Sequence, residues 1–296
     1  MISYPIYRGM AAMLLSVFLF SINDALLKWL AGTYHPMQII FCRSFFTFFP
    51  LLGPFLLKQQ RIDFRAGNNG YHALRAFIAA LSVPLYIYAY KALPLADAYA
   101  VSYVAPLFMA IFAIPLLGEK VSKQAWTVII IGFFGILIMM RPGSAVLSLG
   151  GLSAFAAGVV YALAIVMSRK LSETESDFSI TAWFMGVSFI MSSLFMPFYW
   201  ETPPLSDWGL FAVLGVVSYG AVLTITQAFR LAPAAIVGPI DYLLVVFGAI
   251  LGYYIWGDVP DMYVVIGSCV LIGSGLYLLY HESKNKTLAF AHVVEE

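Results

Sequence analysis

Long apolar runs broken by short polar punctuation dominate the chain, for example Val128 to Met140 and Val259 to Tyr280. Runs near twenty residues match a hydrocarbon core of about 30 Å at 1.5 Å rise per residue. They are apolar all round, so they lack the alternating ten-residue pattern of a membrane barrel. Only helices and closed barrels satisfy their backbone groups in lipid. The pattern therefore predicts an all-α integral membrane protein with ten transmembrane helices. Their expected ranges are 9–30, 36–57, 71–91, 95–117, 124–140, 150–168, 180–199, 208–229, 235–256 and 262–281. Punctuation falls between them at Pro36, Asn68-Asn69-Gly70, Pro94, Pro142-Gly143, Pro203-Pro204 and Pro233. No connection is long enough to hold a soluble catalytic domain.

Composition agrees with this pattern. Hydrophobic residues make up 62% of the chain and charged residues 10%, against about 25% charged in soluble domains. Mean hydropathy is +0.89. A net charge of +1 gives no reason to expect nucleic acid as a partner. Cys42 and Cys269 both lie within apolar runs and are expected to be small packing residues, not a disulfide or metal site. The first apolar segment continues to Trp29 without a small-residue cleavage site, so it reads as a span and not as a removable signal. Basic residues are distributed unevenly. Arg8, Lys58, Arg61, Arg65, Lys120, Lys123, Arg169, Lys170, Arg230, Lys284 and Lys286 fall on one side, eleven in all; Lys28, Lys91 and Arg141 fall on the other. This bias places both termini in the cytoplasm of a bacterial inner-membrane protein.

The halves also resemble one another. Ala89-Tyr90-Lys91-Ala92-Leu93-Pro94 aligns with Ala228-Phe229-Arg230-Leu231-Ala232-Pro233 at an offset of 139 residues. The same offset matches Tyr103 with Tyr242, Phe108 with Phe247, and Gly118-Glu119 with Gly257-Asp258. The expected units are residues 1–142 and 150–281, each a five-helix repeat, followed by a cytoplasmic tail at 282–296. An odd number of spans per repeat inverts the second, an arrangement shared with many secondary transporters, whose sites lie at the repeat interface.

The stretch from Leu93 to Phe108, Leu-Pro-Leu-Ala-Asp-Ala-Tyr-Ala-Val-Ser-Tyr-Val-Ala-Pro-Leu-Phe, resembles the fourth span of EamA-type members of the drug/metabolite transporter superfamily. Leu117-Gly-Glu-Lys-Val121, Gly132-Phe-Phe-Gly135 and Arg141-Pro142-Gly143 are also similar to that family, as are Asn23-Asp24 with Lys28 and Phe41-Cys-Arg43-Ser-Phe-Phe46. The resemblance covers essentially the whole chain and is weaker in the second half. It implies ten helices as two inverted repeats around a central cavity. The Arg-Ser-Phe-Phe and Pro-Leu-Ala-Asp-Ala stretches most resemble the riboflavin-importer branch, and S-adenosylmethionine carriers share much of the pattern. Phe20-Ser21 stands where Trp-Gly is frequent in the family.

Charges inside spans are costly and usually face a cavity or a partner. Asp24 and Lys28 share a face of the first helix. Arg43 enters from the same side to a depth that would let it pair with Asp24, as an outer gate, an anion anchor or a structural ion pair. Lys28 is expected to reach the interface with its long stem. Arg75 and Asp241 enter from the cytoplasmic side and would mirror that pair as an inner latch. Asp97 lies near the outer surface, where it favours a helix N-terminus. Tyr86, Tyr90, Tyr103, Tyr161, Tyr219 and Tyr242 each offer a flat face and a hydroxyl, which suits a planar heteroaromatic solute. Gln227 is a further polar group within a span. Gly132, Gly135, Gly267, Gly273 and Gly275 suit close helix packing.

The expectation is therefore a secondary transporter of a small organic metabolite working by alternating access. Riboflavin uptake comes first; S-adenosylmethionine, amino acids or nucleosides are the alternatives. An intramembrane enzyme or a sensor is the reading from a different class. An enzyme needs a reactive cluster at membrane depth, and a sensor normally carries a cytoplasmic domain. The four histidines lack metal-ligand spacing and there is no phosphate-binding loop, so no cofactor, metal or catalytic residue is expected. The expected partners are a small-molecule substrate and membrane lipid, with a homodimer left open.

Overall fold

The computed structural model describes residues 4–56, 69–118, 123–139, 147–171, 175–231, 240–270, 272–274 and 276–277. The links around 57–68 and 232–239 and the tail 282–296 lie outside them. Among the described residues the ordered elements are all helical: α1 (Tyr4–Ala31), α2 (Pro36–Leu56), α3 (Asn69–Ala92), α4 (Leu95–Ser102), α5 (Ala105–Leu117), α6 (Lys123–Met139), α7 (Leu149–Leu171), α8 (Asp177–Ser193), α9 (Met196–Tyr199), α10 (Leu205–Leu231), α11 (Leu243–Trp256) and α12 (Met262–Ser274). Five helical segments are long and apolar enough to cross a bilayer: Tyr7–Ala31, Asn69–Ala92, Leu95–Leu117, Leu149–Leu171 and Leu205–Ile225. Five shorter apolar helices accompany them, in α2, α6, α8, α11 and α12.

Three expected continuous helices are broken. The segment 95–117 turns at Tyr103-Val104 between α4 and α5, where Pro106 in the first turn of α5 withholds an N–H donor. The segment 180–199 breaks at Leu194-Phe195, with Pro197 in the first turn of α9. Both α5 and α11 end on a left-handed glycine, Gly118 at φ 69° and Gly257 at φ 71°. Glycine adopts this conformation without the Cβ penalty, and its N–H caps the last carbonyls. A third break, at Tyr242, precedes α11.

α1 packs most extensively on α10, and α3 on α7. α2 leans on α10 and α8, α3 also on α8, α5 on α7, and α11 on α4 and α1. Glycines set the closest approaches. A Cβ on Gly215 would lie 2.5 Å from the Phe46 Cβ, and one on Gly158 would lie 2.7 Å from the Ser102 carbonyl oxygen. Gly132 and Gly267 bring α6 against α12, as the packing expectation had it, whereas a Cβ on Gly273 would meet nothing within 4 Å; one on Gly267 would meet the Gly135 oxygen at 2.6 Å. The outside of the bundle is apolar, with Phe49, Ile130, Phe134, Leu137, Val216 and Ile250 exposed. Such a surface is foreign to a water-soluble monomer and ordinary for one in lipid. Cys42 is buried and Cys269 exposed, both as free thiols.

Candidate functional site

The centre of the bundle carries a chain of tyrosines between two carboxylates. Asp24, on α1, is 7% exposed. Its Oδ1 accepts from Asn23 Nδ2 at 2.8 Å, and its Oδ2 accepts from the hydroxyls of Tyr99 on α4 at 3.0 Å and Tyr90 on α3 at 3.2 Å. Ser218 of α10 donates to Asn23 Oδ1 and completes the network. Three helices thus converge on one carboxylate, and α10 supports it through Asn23.

From there the rings continue inward. Tyr99 meets Tyr90 edge to face at 5.7 Å, Tyr90 stacks on Tyr86 at 5.8 Å, and Tyr86 meets Tyr161 of α7 at 6.3 Å. Tyr103 and Tyr242 pack edge to face at 5.2 Å, each at its own helix break. The Tyr103 hydroxyl donates to the Asp241 carbonyl at 2.7 Å. The Asp241 carboxylate lies within electrostatic range of Tyr86, Tyr103, Tyr161 and Tyr242. Asp24, Tyr86, Tyr103, Asp241 and Tyr242 therefore share one region. Tyr99, which joins Asp24 to it, was not singled out in the sequence. Its signal was spacing: Tyr99 lies four residues before Tyr103, hence on the same side of the fourth segment.

The two proposed ion pairs do not form. Arg43 feels the charge of Asp24, yet the carboxylate is committed to Asn23, Tyr90 and Tyr99. Arg43 itself is buried, and its Nε and Nη2 have no hydrogen-bond partner. Arg75 donates to Ser168 Oγ at 2.6 Å and to the Ile180 carbonyl at 3.4 Å, and lies over the Phe184 ring. It ties α3 to α7 and α8 and does not latch Asp241. Gln227 is exposed on α10.

Lys28 carries its charge to one end of the bundle, where it is held by partners the sequence did not point to. Its Nζ donates to Asp258 Oδ2 at 2.7 Å and to the Leu93 carbonyl at 2.9 Å, 4.7 Å above the Trp256 ring. This joins α1, the end of α3 and the loop after α11 at one end of the bundle. Asp97 is buried beside it, its Oδ1 without a partner, within range of Asp258, Asp261 and Lys28. At the same end Tyr34 donates to Asp207 Oδ2 at 2.6 Å. Burial and that carboxylate push the Tyr34 hydroxyl up to about 12, so it remains a donor at physiological pH. At the opposite end His72 stacks on Trp183 with its Nε2 3.6 Å from Glu175 Oε1.

Gly248 makes room for the Tyr99 ring, since a Cβ there would lie 2.4 Å from Tyr99 Cε2. Gly248→Ala should therefore displace the ring, break its bond to Asp24 and lower solute flux several-fold. Tyr99→Phe, which deletes only the hydroxyl, should do less. Flux per molecule of folded protein in reconstituted vesicles checks this; equal flux for Gly248→Ala and wild type would detach the ring from function.

The comparisons with known proteins agree with this architecture. The chain is 28% identical to an S-adenosylmethionine uptake transporter of Rickettsia prowazekii over 94% of each chain. It is 28% identical to the pseudopaline exporter CntI of Pseudomonas aeruginosa, over 89% of this chain and 93% of that one. It is 27% identical to a riboflavin transporter of Brucella anthropi, over 78% and 83%. A crystal structure of a protein 19% identical has the same fold, with a TM-score of 0.63 over 90% of this chain and 94% of that one. The profile of the EamA-like transporter family matches residues 7–141 and again residues 148–280. The chain belongs to the EamA-like transporter family, within the drug/metabolite transporter superfamily.

Proposed function

We propose that this membrane transporter carries S-adenosylmethionine into the cell, by alternating access between two inverted five-helix repeats. The observation that carries the substrate reading is the row of tyrosines held between two carboxylates, the buried Asp24 and the half-buried Asp241. S-adenosylmethionine has a flat adenine, which suits ring stacking, and sulfonium and ammonium cations, which suit carboxylates and aromatic faces. Similarity to the Rickettsia uptake transporter supports the same substrate. A second reading, riboflavin, is favoured by the tyrosine faces and by the Brucella relative. It leaves the carboxylates without an opposite charge in the solute, which is why it stands second.

The repeat reading is supported by the way the helices pair. Take α4 with α5 as one span and α8 with α9 as another, ten spans in all. Moving five spans along then exchanges the α1–α10 contact with α7–α3, the α2–α10 contact with α8–α3, and the α5–α7 contact with α11–α1. The breaks at Tyr103 and Tyr242 and the left-handed caps at Gly118 and Gly257 exchange in the same way. Crossing broken helices at a repeat interface are the usual seat of a transport site. The charge bias of the links supports termini in the cytoplasm and a place in the bacterial inner membrane.

Two auxotrophs lacking their own importers test the substrate. With the chain expressed, growth on low external S-adenosylmethionine is expected. Growth of the riboflavin-requiring strain alone would install the second reading. Growth of neither, with protein present in the membrane, would remove both.

A further inference from the structure

Arg43 is 6% exposed, and neither its Nε nor its Nη2 has a hydrogen-bond partner. Its own helix does not relieve it. The Thr47 hydroxyl donates to the Arg43 carbonyl at 2.8 Å and the Gly215 carbonyl at 3.1 Å, and accepts nothing from Arg43 Nε or Nη2. Gly215 presses α10 against the Phe46 backbone, which holds this stretch of α2 close to α10. Asp24 acts on Arg43 electrostatically but forms no ion pair with it; its Oδ2 accepts from Tyr90 and Tyr99 and its Oδ1 from Asn23 alone, which leaves one acceptor position of the carboxylate open. A buried cation and a buried anion thus lie within electrostatic range of one another without forming an ion pair. That is a costly state for a protein to keep unless something else pairs with the cation.

We propose that Arg43 and Asp24 are the two jaws of a zwitterion clamp. The Arg43 guanidinium takes the carboxylate of an α-amino-acid group through its paired N–H donors. Asp24, positioned by Asn23 and the two tyrosine hydroxyls, takes the ammonium. The substrate class is then an amino acid or a conjugate with a free amino-acid end, the remainder of the solute lying along Tyr90 and Tyr86. This rests on the tyrosine-lined site proposed above, and S-adenosylmethionine is one member of the class.

Binding to the purified full chain in detergent tests the clamp, with S-adenosylmethionine, decarboxylated S-adenosylmethionine, L-methionine, its methyl ester and riboflavin as probes. Wild type should bind S-adenosylmethionine at least about tenfold tighter than the decarboxylated form, as expected when a charged hydrogen-bonded contact is lost. In Arg43→Gln the two should bind within about threefold of each other, and Arg43→Lys should fall between, since it keeps the charge but not the fork. The wild-type comparison needs no variant to fold. Equal wild-type affinity for the two forms would overturn the clamp and leave S-adenosylmethionine transport standing. Full discrimination in a folded Arg43→Gln would overturn Arg43's part in it. Binding of L-methionine but not of its ester or of S-adenosylmethionine would keep the clamp and remove the transport reading. Binding of riboflavin alone would remove both.

Discussion

Asp24→Asn should lower transport roughly tenfold to a hundredfold, with the protein still inserted and folded. Three donors converge on this carboxylate, from Asn23, Tyr90 and Tyr99. Asparagine matches its shape but turns one acceptor into a donor. If the amide oxygen faces the two tyrosines, the amide nitrogen faces Asn23 Nδ2, a second donor. Asn23 can relieve this only by turning over, which forces the Ser218 hydroxyl to give up its role as donor and become an acceptor. Hydrogen bonds to a charged group are each worth about 1.5–3 kcal/mol, and a stranded buried donor costs about 1–3 kcal/mol. At 1.4 kcal/mol per tenfold, loss of one such contact in the transport cycle gives the stated range. Initial uptake rates normalised to folded protein check it, with melting in detergent as the control. Tyr90→Phe and Tyr99→Phe each remove one donor without introducing a conflict, so each should cost less than Asp24→Asn. Wild-type uptake by Asp24→Asn would place Asp24 outside the transport path.

Much of the fold was legible because lipid leaves few choices. A long apolar run has to satisfy its backbone internally, so run lengths predicted the helices to within a few residues for α1, α2, α3 and α10. The breaks were less visible, since Tyr103-Val104 and Leu194-Phe195 interrupt sequence that stays apolar on both sides. Only Pro106 and Pro197, each just inside the following helix, signal them. The site was legible in part. Asp24, Tyr86, Tyr103, Asp241 and Tyr242 were chosen for residue type and depth, and they lie in one region. Depth along a helix axis does not determine rotation about it, and this is where the pairings failed. Asp24 turns to two tyrosines and leaves Arg43 unpaired. Arg75 turns to Ser168 and Ile180, and Gln227 faces outward. Lys28 and Asp258 are separated by 230 residues. Nothing local to either residue points to the other, and the contact follows only once α1 packs beside α11.

Exchanging those two charges is expected to give the second large effect. Lys28→Asp alone should cut uptake by at least about tenfold, and Asp258→Lys alone should do likewise. Lys28→Asp combined with Asp258→Lys should recover a substantial fraction of wild-type uptake. The Nζ–Oδ2 distance is 2.7 Å, and the side chains are only 10% and 26% exposed, so the pair is partly shielded from solvent. Breaking a charged hydrogen bond there costs about 1.5–3 kcal/mol. Lys28→Asp goes further, because it places a carboxylate among Asp97, Asp258 and Asp261, whose charges already act on one another. Asp258→Lys instead sets two cations together near Trp256. The double exchange restores opposite charges across the same gap and returns a cation to the acidic group. Recovery should be incomplete, since a carboxylate in place of Lys28 has no proton to give the Leu93 carbonyl and no cation to lay over Trp256. Uptake in vesicles containing each of the four proteins measures the coupling directly. If the double exchange is as inactive as the worse single, Lys28 and Asp258 do not act as a pair during transport. If the singles are fully active, the contact between α1 and the loop after α11 is not part of the cycle.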